Sequence, residues 1–304
     1  MAFLPTPIDN GEYSVEMNPD SVSADVLCLL HDHGVNRCSF GVQTFSDSGL
    51  KLLGRRHSAA QAKKAVTQAV KMNFTSVSLD LISAWPGQSL ADLKNDLDTA
   101  LALGVRHLSC YNLILDEKSA FPARLQELGL SEKSDDEARR FWDTTVEILD
   151  KAGFEHYEIS NFSLPGYGCR HNIRGWKGYE YHGIGAAAHS CIAGARFANI
   201  SAVTEYVQSM EKGESPVIFS EELEPEERAR ECAVFWLRLA EGIGEKEFQA
   251  RTGFDFRNLF SPKIKSMLSA GYLEKKTDCA GESHIKVADE YYPLLDAVLV
   301  ELLS

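Results

Sequence analysis

Glu16, Gln43, Arg55 and Asp80 are polar residues at or just past the ends of short β-rich runs, within YSVEM, RCSFGVQ, LLGRRH and SVSLDLI. In a parallel sheet the carboxyl ends of the strands face the ligand crevice, so side chains there are placed to meet a substrate. Two acids, an amide and an arginine make a polar rim suited to ribose hydroxyls and a carboxylate. Each has a plainer role when taken singly, because a strand-end carboxylate more often caps the next helix or pairs with a basic neighbour. Their recurrence on successive strands is what points to a site. A second candidate is formed by His171, Asn172 and Trp176 in CRHNIRGW, inside a stretch (166–185) rich in glycine, aromatics and histidine and without helix or strand period. Glycine permits close approach and aromatic rings offer flat faces, as in loops that cover pockets. A loop histidine is most often a hydrogen-bonding residue, but its imidazole is also a ready metal ligand.

The elements that must hold these residues follow a strand-and-helix rhythm, the signature of repeated βα units around a parallel sheet. Strands are expected over 13–17, 37–43, 76–82 and 107–113. Ser21 or Ser23 caps the first helix and Gly34 ends it; two helical pieces after the second strand end near Met72. The turn WPGQ, with Gly87 as turn punctuation, leads into LADLKNDLDTALALG, closed by Gly104. A polar loop and DDEARRFWDTTVEILDKAG follow the fourth strand, and EHYEIS is read as a strand added at the edge. Four parallel strands cannot close a barrel of six or eight. The expected fold is therefore α/β, a partial barrel over 1–160, then a Gly- and aromatic-rich connecting segment over 161–221. Residues 222–304 should form a small helical module: PEERARECAVFWLRL and two further helices precede HIKV and a terminal helix, a winged-helix-like order.

Composition narrows the function. With 44% apolar and 25% charged residues in 304, the chain reads as an ordinary globular protein rather than a disordered one. Its net charge of −13 argues against general affinity for nucleic acid or anionic membrane, so a small-molecule partner is expected. The C-terminal module, where acids outnumber bases, is read as structural rather than DNA-binding. No apolar run approaches a membrane span and the first residues lack a signal peptide, which gives a cytoplasmic or organellar expectation. The seven cysteines are scattered, with no CxxC or CxxxCxxC spacing, and most should be reduced, buried thiols.

VEMNP, FGVQTF followed by LLGRRH, LDLISAWPGQ and LSCYNL resemble, in order and spacing, the second part of the radical SAM barrel in the oxygen-independent coproporphyrinogen oxidase (dehydrogenase) family. YEISNFSLPGYGCRHNIRGWKG with GIGAAAHS looks most like its haem chaperone branch, HemW. The resemblance runs from about Tyr13 to the end of the chain. It implies a partial (β/α)6 barrel, strands three to six, whose strand ends hold S-adenosylmethionine. Glu16 and Asp80 would match the acids near its ribose and methionine parts, Gln43 the amide beside them, and Arg55 the partner of the methionine carboxylate. In the chaperone branch an HNxxYW motif is proposed to handle haem; here His171, Asn172 and Trp176 match it while Gly175 replaces the tyrosine. His171 is then the expected ligand of haem iron. Tyr167 and Trp176 could pack on the porphyrin, and Arg170 or Arg174 could pair with its propionates. Cys169, Cys191, His182 and His189 remain alternative axial ligands.

The resembled family also binds a 4Fe-4S cluster through a CxxxCxxC loop, and this sequence has no such loop, so radical chemistry by this chain alone is not expected. Where the family usually has an aromatic residue and glycine before PGQ, this chain has Ser83, Ala84 and Trp85. The expectation is an N-terminally shortened member, through an alternative start, a gene-model error or real loss. Haem binding and transfer, with haem-acceptor proteins as partners, is the favoured function. A fragment of a coproporphyrinogen III oxidase and a non-catalytic interaction protein stay open beside it.

Overall fold

Along RCSFGVQ, SVSLDLIS and HLSCYN, polar and apolar residues alternate, and a strand's period of two sends them to opposite faces of a sheet. Cys38, Phe40, Val42, Val77, Leu79, Leu81, Leu108 and Cys110 all join one buried core. The other face carries Arg37, Ser39 and Gln43, then Ser76, Ser78 and Asp80, then His107 and Ser109. One face of this sheet is thus built for packing and the other for polar chemistry. The structure, a computed structural model, describes residues 11–116, 119, 121–278 and 280–304. Its contacts divide the chain into two units, ending at Arg170 and starting at His171.

In the first unit β1 (Ser14–Met17), β2 (Arg37–Gln43), β3 (Ser76–Ser83) and β4 (His107–Asn112) lie side by side and parallel. Between them run α1 (Ala24–Asp32), α2 (Asp47–Leu52), α3 (Ala59–Lys71) and α4 (Leu90–Ala102); α5 (Phe121–Glu127) and α6 (Asp135–Lys151) follow β4. Ser23 caps α1, and the hydroxyls of Ser58, Ser89 and Ser134 cap α3, α4 and α6 in reciprocal capping boxes. Ala62, Ala65, Val66 and Ala69 of α3 and Leu93, Leu97 and Ala100 of α4 pack on the apolar face of the sheet. Each fully buried Leu or Phe there contributes roughly 1.5–3 kcal/mol.

The parallel strands match the sequence expectation to within a residue at either end, and EHYEIS is an edge strand as expected, but one strand more than expected separates it from β4. EHYEIS forms β5 (Glu155–Glu158), but β5 does not pair with β4: a short β6 (Asn161–Ser163) lies between them, antiparallel to both. The buried Glu158 accepts from the Asn161 side chain and the Ser160 backbone, which fixes the tight reversal.

The second unit also departs from expectation. The stretch 166–185, read as lacking helix or strand period, holds a short helix, α7 (Arg170–Trp176), and the rest of the expected connecting segment holds a three-stranded antiparallel sheet of β7 (His189–Ile192), β8 (Ala195–Asn199) and β9 (Val217–Glu222), with α8 (Val203–Lys212) joining β8 to β9. Then come α9 (Pro225–Trp236), β10 (Ile243–Gly244), α10 (Glu245–Thr252), α11 (Phe256–Leu259), α12 (Lys263–Ser269), β11 (Leu273–Thr277), β12 (Ser283–Val287) and α13 (Leu295–Leu303). β12 pairs with both β10 and β11, forming a small wing behind the helices. Trp236, Phe248 and Phe256 make its buried aromatic core. Among the described residues no helix is long and apolar enough to cross a membrane.

Candidate functional site

The polar face of the first sheet is layered. Near the strand starts, Arg37 donates to Ser76 (3.0 Å) and to the Tyr167 carbonyl (3.3 Å), while His107 bonds Ser78 (2.7 Å) and the Tyr157 hydroxyl (2.7 Å). Burial, and then the Arg37 charge, push the His107 pKa well below its usual value, so the ring is neutral. This layer is internally satisfied and reads as a floor.

Above it, toward the strand ends, polar groups are left over. Asp80 is held by the hydroxyls of Ser39 (3.2 Å) and Ser109. Its pKa is raised, first by desolvation, with the Glu16 charge adding to the shift. The Tyr111 hydroxyl is pushed up to about 12 by burial and then by Asp80; Arg55 pulls against this and Glu16 adds to it. The strand ends thus bring Glu16, Asp80 and Arg55 within electrostatic reach of one tyrosine. Glu16 and Arg55 are exposed, and neither side chain makes an ion pair or hydrogen bond among the described residues.

Gln43 is held differently. Thr44 N–H donates to the Val42 carbonyl (2.9 Å), closing a γ-turn whose central residue, Gln43, has φ 68°. A side-chain-bearing residue there is strained, and strain of this kind collects at ligand sites. Buried Asp96 of α4 secures the turn, accepting from the Thr44 hydroxyl (2.7 Å) and Phe45 N–H (2.7 Å), and His57 of the LLGRRH segment bonds the Val42 carbonyl (3.1 Å). Gly41 leaves room for the side chain to fold back, since a Cβ there would stand 2.9 Å from Gln43 Nε2. Gln43 Oε1 is buried with no hydrogen-bond partner among the described residues.

Gln88, taken in the sequence only as part of a turn, is buried with both amide atoms unpartnered. Nothing in its spacing marked it. The polar face of the strands, with Arg55 in the turn after α2 rather than at a strand end, therefore offers two acids, a guanidinium and an unmatched amide carbonyl, a set that suits a ligand carrying hydroxyls, an amino group and a carboxylate. Metal ligation is another matter: among the described residues no three His, Cys, Asp or Glu come together to hold an ion. Cys38 and Cys110 are strand-core thiols whose pKa values burial raises, Cys38 to about 12.

The second candidate lies in the second unit. A cavity of about 900 Å³ is lined by His171, Asn172, Arg174 and Trp176, by Tyr179 and Tyr181, and by Cys191, Cys232 and Phe235. His171, Asn172 and Trp176 thus share one wall, presented by α7. The Trp176 ring lies 6.2 Å from Phe235 and has its Nε1 buried without a partner. Cys232, which sequence reading passed over, reaches the cavity from α9, one turn before Phe235. Both cavity thiols are protonated at neutral pH: burial pushes Cys232 up to about 11 and raises Cys191 as well.

Other expected members are elsewhere. Tyr167 is taken up by Arg106, whose guanidinium lies 4.7 Å from its ring and donates to its hydroxyl (3.0 Å). Cys169 is buried in the first unit and its thiol donates to Glu12, while Arg170 donates its backbone N–H to the same carboxylate. His182 and His189 are exposed and do not line the cavity.

Residues 7–100 match the Radical SAM superfamily and residues 223–279 the HemN C-terminal domain. The heme chaperone HemW of Bacillus subtilis is 33% identical over 276 residues, covering 91% of this chain and 73% of that protein. HemW of Lactococcus lactis is 34% identical over 258 residues (85% and 68%), and HemW of Escherichia coli 34% over 284 residues (92% and 71%). Among solved structures, the coproporphyrinogen III oxidase HemN of Escherichia coli, a radical SAM enzyme, superposes with a TM-score of 0.80 over 96% of this chain and 70% of its own, at 20% identity. That likeness establishes the fold: a partial radical-SAM-type barrel followed by a helical HemN-type C-terminal domain. With three relatives above 30% identity, each covered over two thirds of its length, the chain belongs to the heme chaperone HemW family of radical SAM proteins.

Proposed function

We propose that the chain binds haem, or a closely related porphyrin, in the His171 cavity and hands it to an acceptor protein; its relatives are named heme chaperones. The observation that carries this reading is the cavity, large enough at about 900 Å³ for a sizeable ligand and lined by aromatic side chains with His171 on its wall. Imidazole is a common ligand of haem iron. The alternative donors are poorer, since a thiol must lose its proton to ligate a metal and burial opposes that at Cys191 and Cys232. Trp176 offers the porphyrin a flat face and Asn172 an amide beside the imidazole. The described cysteines are free thiols, which agrees with a reducing, cytoplasmic or organellar setting.

The strand ends of the first unit are read as the S-adenosylmethionine site: Arg55 for the methionine carboxylate, Glu16 and Asp80 for the ribose and methionine parts, and Gln43 beside them. The unmatched Gln43 carbonyl and the unpaired Glu16 and Arg55 support this fit. Bound there, S-adenosylmethionine supplies a sulfonium open to reductive cleavage. The described residues bring no cluster ligands together, so no such step follows from them.

Absorbance titration with haem tests the cavity. His171→Ala is expected to weaken binding about tenfold or more and to change the Soret band, whereas Cys191→Ser should leave both unaltered. Equal titrations of wild type and His171→Ala would remove His171 as ligand; no binding by the wild type would end the reading.

A further inference from the structure

Four arginines line the His171 cavity: Arg174, Arg196, Arg228 and Arg251. Only Arg196 meets carboxylates, Glu221 at 2.6 Å and Glu231 at 2.7 Å. Arg174 and Arg251 instead lie over the ring of Tyr179, at 4.1 and 3.5 Å from its centroid, and Arg251 Nε is buried with no acceptor. Arg228 makes no side-chain ion pair or hydrogen bond among the described residues. Glu222 and Glu224 line the small hollow on its other side, yet neither pairs with it. Gly194 leaves room for Arg228, since a Cβ there would stand 2.7 Å from its guanidinium. The two acids of the cavity are already engaged: Glu231 with Arg196, and Glu180 with the Ala193 N–H (2.8 Å).

Three guanidinium charges therefore face one cavity without counter-charge, in a chain whose net charge is −13. Acids are abundant enough to neutralise them, and none among the described residues pairs with them. Tyr179 fixes two of the three in direction, as a stacked guanidinium keeps its N–H edge free for in-plane acceptors. A planar fork matches a carboxylate in two-bond geometry. Resting on the porphyrin reading above, we propose that Arg174, Arg228 and Arg251 form a carboxylate clamp, so that the cavity selects a planar ligand by its acidic side chains and holds it with or without iron.

Fluorescence titration of the full chain with iron-free mesoporphyrin diacid and with its dimethyl ester, in the same non-ionic detergent, tests the clamp. Wild type and His171→Ala should both bind the diacid, and the diester should bind roughly a hundredfold more weakly. Arg228→Gln and Arg251→Gln should each weaken diacid binding roughly tenfold, with partial recovery in Arg228→Lys and no effect on the diester. Arg228 is exposed, so its replacement leaves folding intact, which circular dichroism verifies. If the diester binds as tightly as the diacid, or if the glutamine variants bind the diacid like the wild type, the clamp is overturned while haem ligation by His171 stands. If the wild type takes up neither haem nor diacid, the porphyrin reading falls and the clamp falls with it.

Discussion

Desolvation raises the pKa of Asp80 against the pull of the Ser109 and Ser39 hydroxyls, and the nearby Glu16 charge adds to the rise. An acid with a folded pKa above its unfolded value holds its proton more tightly when folded, so stability falls as pH rises from the ordinary carboxylate range through the raised value. Ionising Asp80 in the folded chain therefore costs stability, and the proposed ligand role gives a reason for keeping an acid there. Asp80→Asn should therefore raise the melting temperature at pH 7, and the gain should disappear below the ordinary aspartate range. The same variant should lose S-adenosylmethionine affinity in calorimetry. A stability gain that does not change with pH would contradict the desolvation argument. Ala84 shows a similar compromise: it sits at φ 56°, a conformation glycine adopts freely, at a position where glycine is usual in the resembled family. Glu16, Gln43 and Asp80 could be proposed from sequence because they stand on countable strands, whereas Arg55 follows α2, twelve residues past the end of β2. Gln88, Arg228 and Arg251 could not be, because their lack of partners depends on chain segments far away in sequence.

Among elements, α4 has a second task besides packing on the sheet. Its Asp96 reaches back to the turn after β2 and satisfies both Thr44 and Phe45, which holds Gln43 in its left-handed conformation. Asp96→Ala would leave a buried N–H and hydroxyl unmatched, at about 1–3 kcal/mol for each. We expect a loss of about 3 kcal/mol by chemical denaturation, together with weaker S-adenosylmethionine binding although Asp96 is not placed to touch that ligand. Unchanged affinity in a folded Asp96→Ala would show that the turn keeps its shape unaided. The parallel strands were readable because alternation of type was uninterrupted from Arg37 to Gln43 and from Ser76 to Leu81. Helix α7 was not: it holds a glycine, lacks an apolar repeat and buries none of its residues. β6 is three residues long, and β9 is mostly exposed, so neither leaves a burial pattern to read.

On the scale of the whole molecule, the two units carry two different kinds of site. The first unit has acids on its parallel strands and one arginine in the turn after α2; the second gathers arginines, aromatic rings and one histidine around a cavity. An overall charge of −13 hides this local excess of positive charge, and composition alone therefore pointed to a small partner without showing where it binds. The α/β order and the helical C-terminal module were visible in the rhythm of the chain. The sheet β7-β8-β9, which supplies Cys191 and Arg196 to the cavity, was not. The central claim is that the cavity beside α7 is the haem site. A crystal structure of the chain grown with haem tests it most directly: the account predicts porphyrin density among Trp176, Tyr179 and Phe235, with the iron bonded to His171 and the propionates on Arg228 and Arg251. Porphyrin density at any other place on the chain, with this cavity filled only by solvent, would contradict it.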